Sequence, residues 1–132
     1  MINGIDHIGI AVRSLEERIP FYRDVLALGA PEIEEVPEQK VRVAMFHTGA
    51  GRLELLEPTD PESPIAKFME KNGEGIHHVA LGTTDIEGSI HAVEESGLRM
   101  IDSVPREGAE GARIAFVHPK SSGGVLLEFC RR

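Results

Sequence analysis

The sequence has few of the features that mark secreted, membrane-spanning or nucleic-acid-binding proteins. Its single cysteine, Cys130, excludes an internal disulfide. No apolar run approaches the roughly 18 residues of a membrane-spanning helix, and the N-terminal segment lacks the basic-then-apolar pattern of a signal peptide. The formal net charge of −8 leaves no excess of basic residues to bind nucleic-acid phosphates. We therefore expect a cytoplasmic protein that binds neither membranes nor nucleic acids.

The most informative feature present is an internal repeat. Residues 4–10 resemble residues 75–81 at an offset of 71, which places His78 on His7 (78 − 7 = 71). The ends of the two copies also match, but there Glu128 falls on Glu54 at an offset of 74 (128 − 54 = 74). The second copy is therefore expected to contain a hairpin that is three residues longer.

Each copy is predicted to form a strand, a helix and three strands, a βαβββ module. With only 132 residues, two separate cores are excluded, so we expect one domain in which the modules share a sheet or core and leave a groove for a ligand. The expected bounds are about 1–60 for module one, about 61–73 for a linker helix and about 74–132 for module two. The predicted helices cover residues 14–28 (with Pro20 inside), 64–71 and 85–96, and the predicted strands cover residues 5–12, 32–36, 41–48, 52–57, 76–82, 99–102, 113–118 and 125–130, with a mobile loop at 105–111.

Four residues of the repeat form a candidate metal site. A lone histidine in an apolar strand is usually a core residue, and a lone glutamate between apolar residues usually faces solvent. Here His7 and His78 occupy equivalent positions, and so do Glu54 and Glu128. A buried carboxylate needs a compensating charge or a metal, and equivalent pairs need one shared explanation. Two imidazoles and two carboxylates suit Co, Ni, Mn, Fe or Zn and leave coordination positions free for substrate oxygens.

The same residues lie in segments that resemble the vicinal-oxygen-chelate (glyoxalase-like) superfamily and, within it, the methylmalonyl-CoA epimerase family. The resemblance spans nearly the whole chain, and it implies an α+β fold in which paired βαβββ modules form a curled eight-stranded mixed sheet with a metal site in the cleft, usually as a homodimer. The segments that carry it are Asp6-His7-Ile8-Gly9-Ile10-Ala11-Val12, Leu53-Glu54-Leu55-Leu56-Glu57-Pro58, Ser63-Pro64-Ile65-Ala66-Lys67-Phe68, His77-His78-Val79-Ala80 and His118-Pro119-Lys120-Ser121-Ser122-Gly123-Gly124-Val125-Leu126.

The resemblance implies epimerisation of (R)- and (S)-methylmalonyl-CoA by 1,1-proton transfer through a metal-stabilised enolate, with one divalent ion, cobalt ahead of manganese, nickel, zinc or iron. Glu128 matches the family's glutamate that is both ligand and base. Some bacterial epimerases have a glutamate where Val43 stands and a glutamine where Glu54 stands. Because this sequence departs at both positions, we hypothesise that Glu54 is the second base, with Glu38 or a metal-bound water as the next candidate.

An acyl-CoA substrate also requires basic groups for its phosphates. Lys120 is the first candidate, because the turn formed by Ser121, Ser122 and Gly123 beside it is expected to offer backbone amides to an anion. Weaker candidates, for which solvated surface charge is the better explanation, are Arg113, Lys40 and Arg106.

Three other functions compete with the epimerase within the superfamily. Glyoxalase I, which isomerises a hemithioacetal, uses the same kind of ligand set, but the hairpin after His118 is more similar to the epimerases. A metal-free binding protein would stack its ligand on aromatic rings, whereas this chain has no tryptophan and one tyrosine, Tyr22. An iron dioxygenase uses two histidines and one carboxylate, which leaves the fourth ligand without a purpose.

Overall fold

The protein contains eight strands and three α-helices, and a computed structural model describes residues 1–132. The strands are hydrogen-bonded in the order β2-β3-β4-β1-β5-β8-β7-β6, so the predicted α+β class and the eight-stranded mixed sheet are confirmed. The elements are β1 (Ile2–Ala11), α1 (Leu15–Pro20), β2 (Glu32–Val36), β3 (Val41–His47), β4 (Arg52–Pro58), α2 (Pro64–Asn72), β5 (Gly75–Thr83), α3 (Ile86–Glu95), β6 (Arg106–Glu107), β7 (Arg113–Phe116) and β8 (Leu127–Arg131).

The chain divides into two compact units. The first unit is His7–His77, and the second unit is Met1–Asp6 together with His78–Arg132. Strand β1 therefore contributes its first residues to the second unit and its remaining residues to the first. The unit boundaries fall directly before the two histidines of the repeat.

In the first unit, β4 lies between β1 and β3. It runs parallel to β1, with Gly9 opposite Glu54, and antiparallel to β3, with Met45 opposite Glu54. The other face of these strands packs against α1 through Leu15 and Ile19, because the apolar side of the helix is removed from water only there. The buried residues of this contact are Val12, Leu15, Ile19, Ala44, Phe46 and Leu55.

The second unit repeats the arrangement. Strand β8 lies between β5 and β7, parallel to β5 with Ala80 opposite Glu128 and antiparallel to β7 with Phe116 opposite Glu128. Helix α3 packs on the other face through Ile86 and Ile90. The buried residues of this contact are Ile86, Ile90, Ala115, Val117 and Phe129.

Helices α2 and α3 each begin at a capping side chain. The Ser63 hydroxyl accepts a hydrogen bond at the start of α2, and Gly73 ends that helix with a φ of 73°. The Asp85 carboxylate caps α3 by accepting from the backbone N–H of Gly88 at 3.0 Å. None of the helices is long and apolar enough to cross a membrane.

Helix α1 is shorter than predicted. Its α-helical hydrogen bonding ends at Pro20, which has no backbone N–H to continue the pattern. Residues Phe21–Val25 form a wider π-helical turn, in which the N–H of Leu26 donates to the carbonyl five residues earlier. The predicted helix as far as Leu28 is therefore wrong beyond Val25, although the predicted start is confirmed.

The cap of α1 allows a stability prediction. The Ser14 hydroxyl accepts a hydrogen bond from the backbone N–H of Glu17 at 3.3 Å. We expect Ser14→Ala to lower the free energy of unfolding by about 1 kcal/mol, because one N–H at the helix start loses its acceptor. Urea denaturation measures this difference. The control is Ser96→Ala at the C-terminal end of α3, which removes only the hydrogen bond from the Ser96 hydroxyl to the Ala92 carbonyl and should lower the free energy of unfolding by less than about 0.5 kcal/mol. Equal losses of unfolding free energy in the two variants would contradict the capping role of Ser14.

The sixth strand lies in a segment predicted as a loop. Strand β6 falls within residues 105–111 and is antiparallel to β7, with Arg106 opposite Ile114. The predicted strand at residues 99–102 is wrong, since only Met100 forms an isolated bridge there. The carboxylate of Asp102 accepts the backbone N–H of Phe116 at 2.8 Å, so a side chain replaces the main-chain partner that a strand would provide.

Candidate active site

The first unit holds one buried histidine–glutamate pair. His7 is on β1 and Glu54 is on the adjacent parallel strand β4. Their side chains are nearly inaccessible to solvent, and His7 Nε2 lies 3.6 Å from a carboxylate oxygen of Glu54. This distance is longer than that of a hydrogen bond. The structure therefore brings together the two predicted ligands of module one.

The second unit holds the equivalent pair. His78 is on β5, Glu128 is on the parallel strand β8, and His78 Nε2 lies 3.6 Å from a carboxylate oxygen of Glu128. All four ligand candidates of the two units are only 3–6 % exposed. Two buried carboxylates at matching positions carry a desolvation cost that neutral imidazoles alone do not offset.

The strand registers show that the two pairs are structural equivalents. Glu54 lies opposite Gly9 and Glu128 lies opposite Ala80, and these partners differ by the 71-residue offset (80 − 9 = 71). On their other side the glutamates lie opposite Met45 and Phe116, which again differ by 71 (116 − 45 = 71). The change from 71 to 74 therefore arises in the longer hairpin between β7 and β8.

Small residues surround the histidines on their own strand faces. The residues two and four positions after each histidine are buried, as the alternation of a strand requires. They are Gly9 and Ala11 after His7, and Ala80 and Gly82 after His78. Ile10, on the opposite face, packs against the buried cluster that includes α1. Strand β1 therefore has one face with small residues after His7 and another face that packs against α1.

The donor set fits a divalent transition metal. Each unit supplies one imidazole nitrogen and carboxylate oxygens, a mixture that suits cobalt, manganese, nickel, zinc or iron and disfavours magnesium or calcium, which prefer oxygen alone. The histidines carry Nε2 toward the glutamates in both units. The histidine–glutamate pair of each unit thus has the chemistry of two metal ligands.

Comparison with known proteins identifies the family. Residues 6–116, more than half of the chain, match the model of the Glyoxalase/Bleomycin resistance protein/Dioxygenase superfamily. The chain belongs to this superfamily. An ethylmalonyl-CoA/methylmalonyl-CoA epimerase of Cereibacter sphaeroides is 39% identical over 132 residues, covering 97% of each chain, and a mitochondrial methylmalonyl-CoA epimerase of Mus musculus is 36% identical over 125 residues, covering 94% of this chain and 70% of that protein.

A solved structure shows the same superfamily fold. A Streptomyces coelicolor methylmalonyl-CoA epimerase in complex with 2-nitronate-propionyl-CoA superposes with a TM-score of 0.95 at 40% sequence identity, covering 99% of this chain and 95% of that chain. The resemblance seen in the sequence motifs is thereby confirmed. The superfamily typically uses a divalent metal, in agreement with the donor set of the two units.

Phe116 is a neighbour of the second pair that the sequence analysis does not single out. It lies opposite Glu128 on β7, and its ring meets the His78 imidazole edge to face, with centroids 5.5 Å apart and planes at 90°. The guanidinium of Arg106 lies over the same ring, 5.5 Å from its centroid. The signal that could have found Phe116 is its 71-residue offset from Met45, the neighbour of Glu54.

His77, the neighbour of a ligand candidate, has a different environment. Its ring packs edge to face against Phe68 of α2, with centroids 5.0 Å apart. Burial lowers the pKa of His77 to about 4, because the charged imidazolium would lose its hydration there. His77 is therefore a neutral packing residue, as its position on the strand face opposite to His78 indicates.

The turn after His118 bonds mainly to itself. A 3₁₀ turn covers Pro119–Ser121, and His118 Nδ1 accepts the backbone N–H of Lys120 at 3.1 Å. The N–H groups of Ser121 and Ser122 donate to carbonyls within the turn, and the two serine hydroxyls also bond to carbonyls. Most backbone N–H groups of this turn already donate hydrogen bonds within it. The side chain of Lys120, an exposed residue, is therefore the group of the turn that can bind an anion.

The positions considered for a second base also differ in environment. Val43 is fully buried on β3, opposite Leu56, and offers no proton-accepting group. Glu38 is exposed in the 3₁₀ turn Pro37–Gln39. Glu54 is the buried carboxylate of the first unit, and it is paired with a histidine as Glu128 is in the second.

Proposed function

We propose that this protein is a methylmalonyl-CoA epimerase, which interconverts the R and S forms of methylmalonyl-CoA. The observation that carries the proposal is the pair of equivalent, buried histidine–glutamate sites, His7 with Glu54 and His78 with Glu128. The names of relatives that match nearly the whole chain support the substrate class. Ethylmalonyl-CoA is a second substrate to test, because one of these relatives is named for both.

We propose that the two pairs together hold one divalent ion, cobalt ahead of manganese, nickel, zinc or iron. When bound, the ion would draw electron density from the thioester carbonyl and make the adjacent C2 proton more acidic. The small residues beside each histidine leave space for substrate oxygens on the same strand faces. The apolar neighbours Met45 and Phe116 limit the access of water to the two carboxylates.

Glu54 and Glu128 are proposed as the two bases. Epimerisation requires that one group takes the proton from C2 and that another returns a proton to the opposite face of the same carbon. In one direction Glu128 accepts the C2 proton while protonated Glu54 donates its own, and in the other direction the roles are reversed. Their equivalent positions in the two repeated units support this assignment.

The CoA part of the substrate is proposed to bind at the turn after His118. Lys120 supplies the positive charge for a phosphate, and Ser121, Ser122 and Gly123 shape the turn beside it. Because most of the turn's amides bond internally, the side chain of Lys120 carries the interaction.

We also propose that the protein is a cytoplasmic homodimer. Three large apolar side chains at the end of the α1 segment, Phe21, Val25 and Leu26, are exposed in a protein that is otherwise strongly acidic. Light scattering during size-exclusion chromatography measures the mass, and a monomer at micromolar concentration would contradict the dimer.

Proton exchange at C2 tests the function directly. Metal-reconstituted protein is incubated with methylmalonyl-CoA in D₂O, and the C2 proton signal is followed by NMR. We expect the signal to disappear, and we expect a chelator-treated sample to exchange at the rate of the buffer alone. The hemithioacetal of methylglyoxal and glutathione is incubated in parallel. Absence of exchange with every metal tested would refute the epimerase, and turnover of the hemithioacetal would then assign glyoxalase I chemistry.

A further inference from the structure

A cationic side chain lies beside the histidine–glutamate pair of the second unit. Arg106 stacks its guanidinium on the ring of Phe116, and the same ring contacts the His78 imidazole. Two contacts of 5.5 Å between group centres therefore connect the guanidinium to a metal-ligand candidate. A cation held on an aromatic face is both attracted to the ring and restricted in its motion.

The strand register places Arg106 on the same face of the sheet as the pair. Arg106 lies opposite Ile114, which is two residues before Phe116 and so shares its face. Phe116 in turn lies opposite Glu128. Residues directly opposite each other in antiparallel strands point to the same side, so Arg106, Phe116 and Glu128 form a continuous row.

The Asp102 carboxylate pairs with the Arg106 guanidinium at Nε. Asp102 Oδ2 lies 3.4 Å from Nε of Arg106, and the same oxygen accepts the backbone N–H of Phe116 at 2.8 Å. The loop carboxylate is therefore fixed to the main chain of β7 and pairs with the inner nitrogen of the guanidinium. The two terminal nitrogens point away from Nε, and they are the pair that matches the two oxygens of a carboxylate.

We infer that Arg106 binds the free carboxylate of the acyl-CoA substrate and thereby selects 2-carboxyacyl-CoA esters over simple acyl-CoA esters, an inference that rests on the proposed function. The substrate carries a carboxylate on the reacting carbon, and that group must lie close to Glu128 if Glu128 is to reach C2. Arg106 is a cation on this face of the second unit, one aromatic ring away from His78. Arg132, further along the same face of β8, donates instead to Asp6 and Glu110. Asp102 and Phe116 act as positioning residues for the guanidinium.

Binding of two CoA esters that differ only in the carboxylate tests this role. Malonyl-CoA and acetyl-CoA are titrated calorimetrically into the Co²⁺-loaded protein, and the preference is the ratio of the two Kd values. We expect Arg106→Gln to lower the preference for malonyl-CoA about tenfold relative to the parent protein, because a two-point charged contact is lost at a partly exposed site. Arg106→Lys keeps the positive charge but not the two parallel N–H donors of the guanidinium, and we expect an intermediate preference for malonyl-CoA.

Arg113→Gln is the matched control. Arg113 is on the neighbouring strand β7, faces the other side of the sheet from Ile114 and pairs with Glu87 of α3. We expect its substitution to leave the preference within about twofold of the parent value. An unchanged preference in Arg106→Gln, with the parent protein binding malonyl-CoA, would overturn the inference alone. Binding of neither ester by the parent protein would overturn the proposed function and the inference with it.

Discussion

Substituting either buried glutamate with glutamine is expected to lower the rate of epimerisation by about 10²–10⁴-fold. Glutamine keeps a carbonyl oxygen as a possible ligand but cannot accept a proton at neutral pH. Under the two-base hypothesis, Glu54→Gln and Glu128→Gln each retain one working base. Each variant should therefore still exchange the C2 proton of one epimer with D₂O while interconversion of the epimers slows by this factor. The epimer that exchanges should differ between the two variants. NMR of the separate epimers measures both quantities.

The metal content of each variant is the necessary control for this experiment. Elemental analysis should show bound metal in both, since loss of the ion would stop catalysis without testing the base. Near-full racemisation by Glu54→Gln, with loss only in Glu128→Gln, would contradict the assignment of Glu54. Glu38 would then be the next carboxylate to substitute, although its exposure makes it a poor match to the buried Glu128.

The second large effect concerns stability. A ligand present at about 100 times its Kd adds about 2.7 kcal/mol to the free energy of unfolding. For a domain of this size that corresponds to a rise in Tm of roughly 8 °C. We therefore expect Co²⁺ to raise the Tm by about this amount, and we expect His78→Ala to abolish most of the increase. Differential scanning calorimetry with and without the ion measures the shift within each variant, which separates metal binding from any direct cost of removing a buried ring.

His91→Ala serves as the control for that shift. His91 is an exposed residue of α3 that pairs with Glu95 on the same helix. In His91→Ala, Co²⁺ should raise the Tm by the same amount as in the parent protein. If His78→Ala kept the full increase, the ion would bind elsewhere, and the ligand set proposed for the two units would be wrong.

The repeat made the two histidine–glutamate pairs and the central strands predictable. Matching His78 to His7 and Glu128 to Glu54 identified the equivalent positions of the two units, and the strand registers agree with both offsets. Burial of a glutamate between two apolar residues was the second signal, because a surface strand would not place it there. These inferences depend on patterns of period two, which strands preserve.

The parts that could not be predicted lack such a period. Strand β6 has only two residues, so it shows no alternation, and its pairing depends on Ile114, which is distant in sequence. The segment at residues 99–102 reads Arg-Met-Ile-Asp and shows no alternation of apolar residues. It forms an isolated bridge at Met100, and the Asp102 carboxylate accepts the backbone N–H of Phe116. Pro20 suggests a bend, yet whether a helix stops or widens into a π turn depends on tertiary packing around Tyr22. The sequence alone indicates Arg106 only as a candidate for phosphates, because its stacking on Phe116 depends on the pairing of β6 with β7.

The division of β1 between the two units has a consequence for the origin of the chain by duplication. The second unit needs residues 1–6: the Met1 carbonyl accepts the N–H of Thr84, and the Asp6 carboxylate binds the guanidinium of Arg132. A half-length ancestor cut at the repeat boundary would lack that segment in its own unit. Two copies of such an ancestor would each have completed their fold with the N-terminal strand segment of the other copy. Gene fusion would then have joined two molecules that already exchanged this segment.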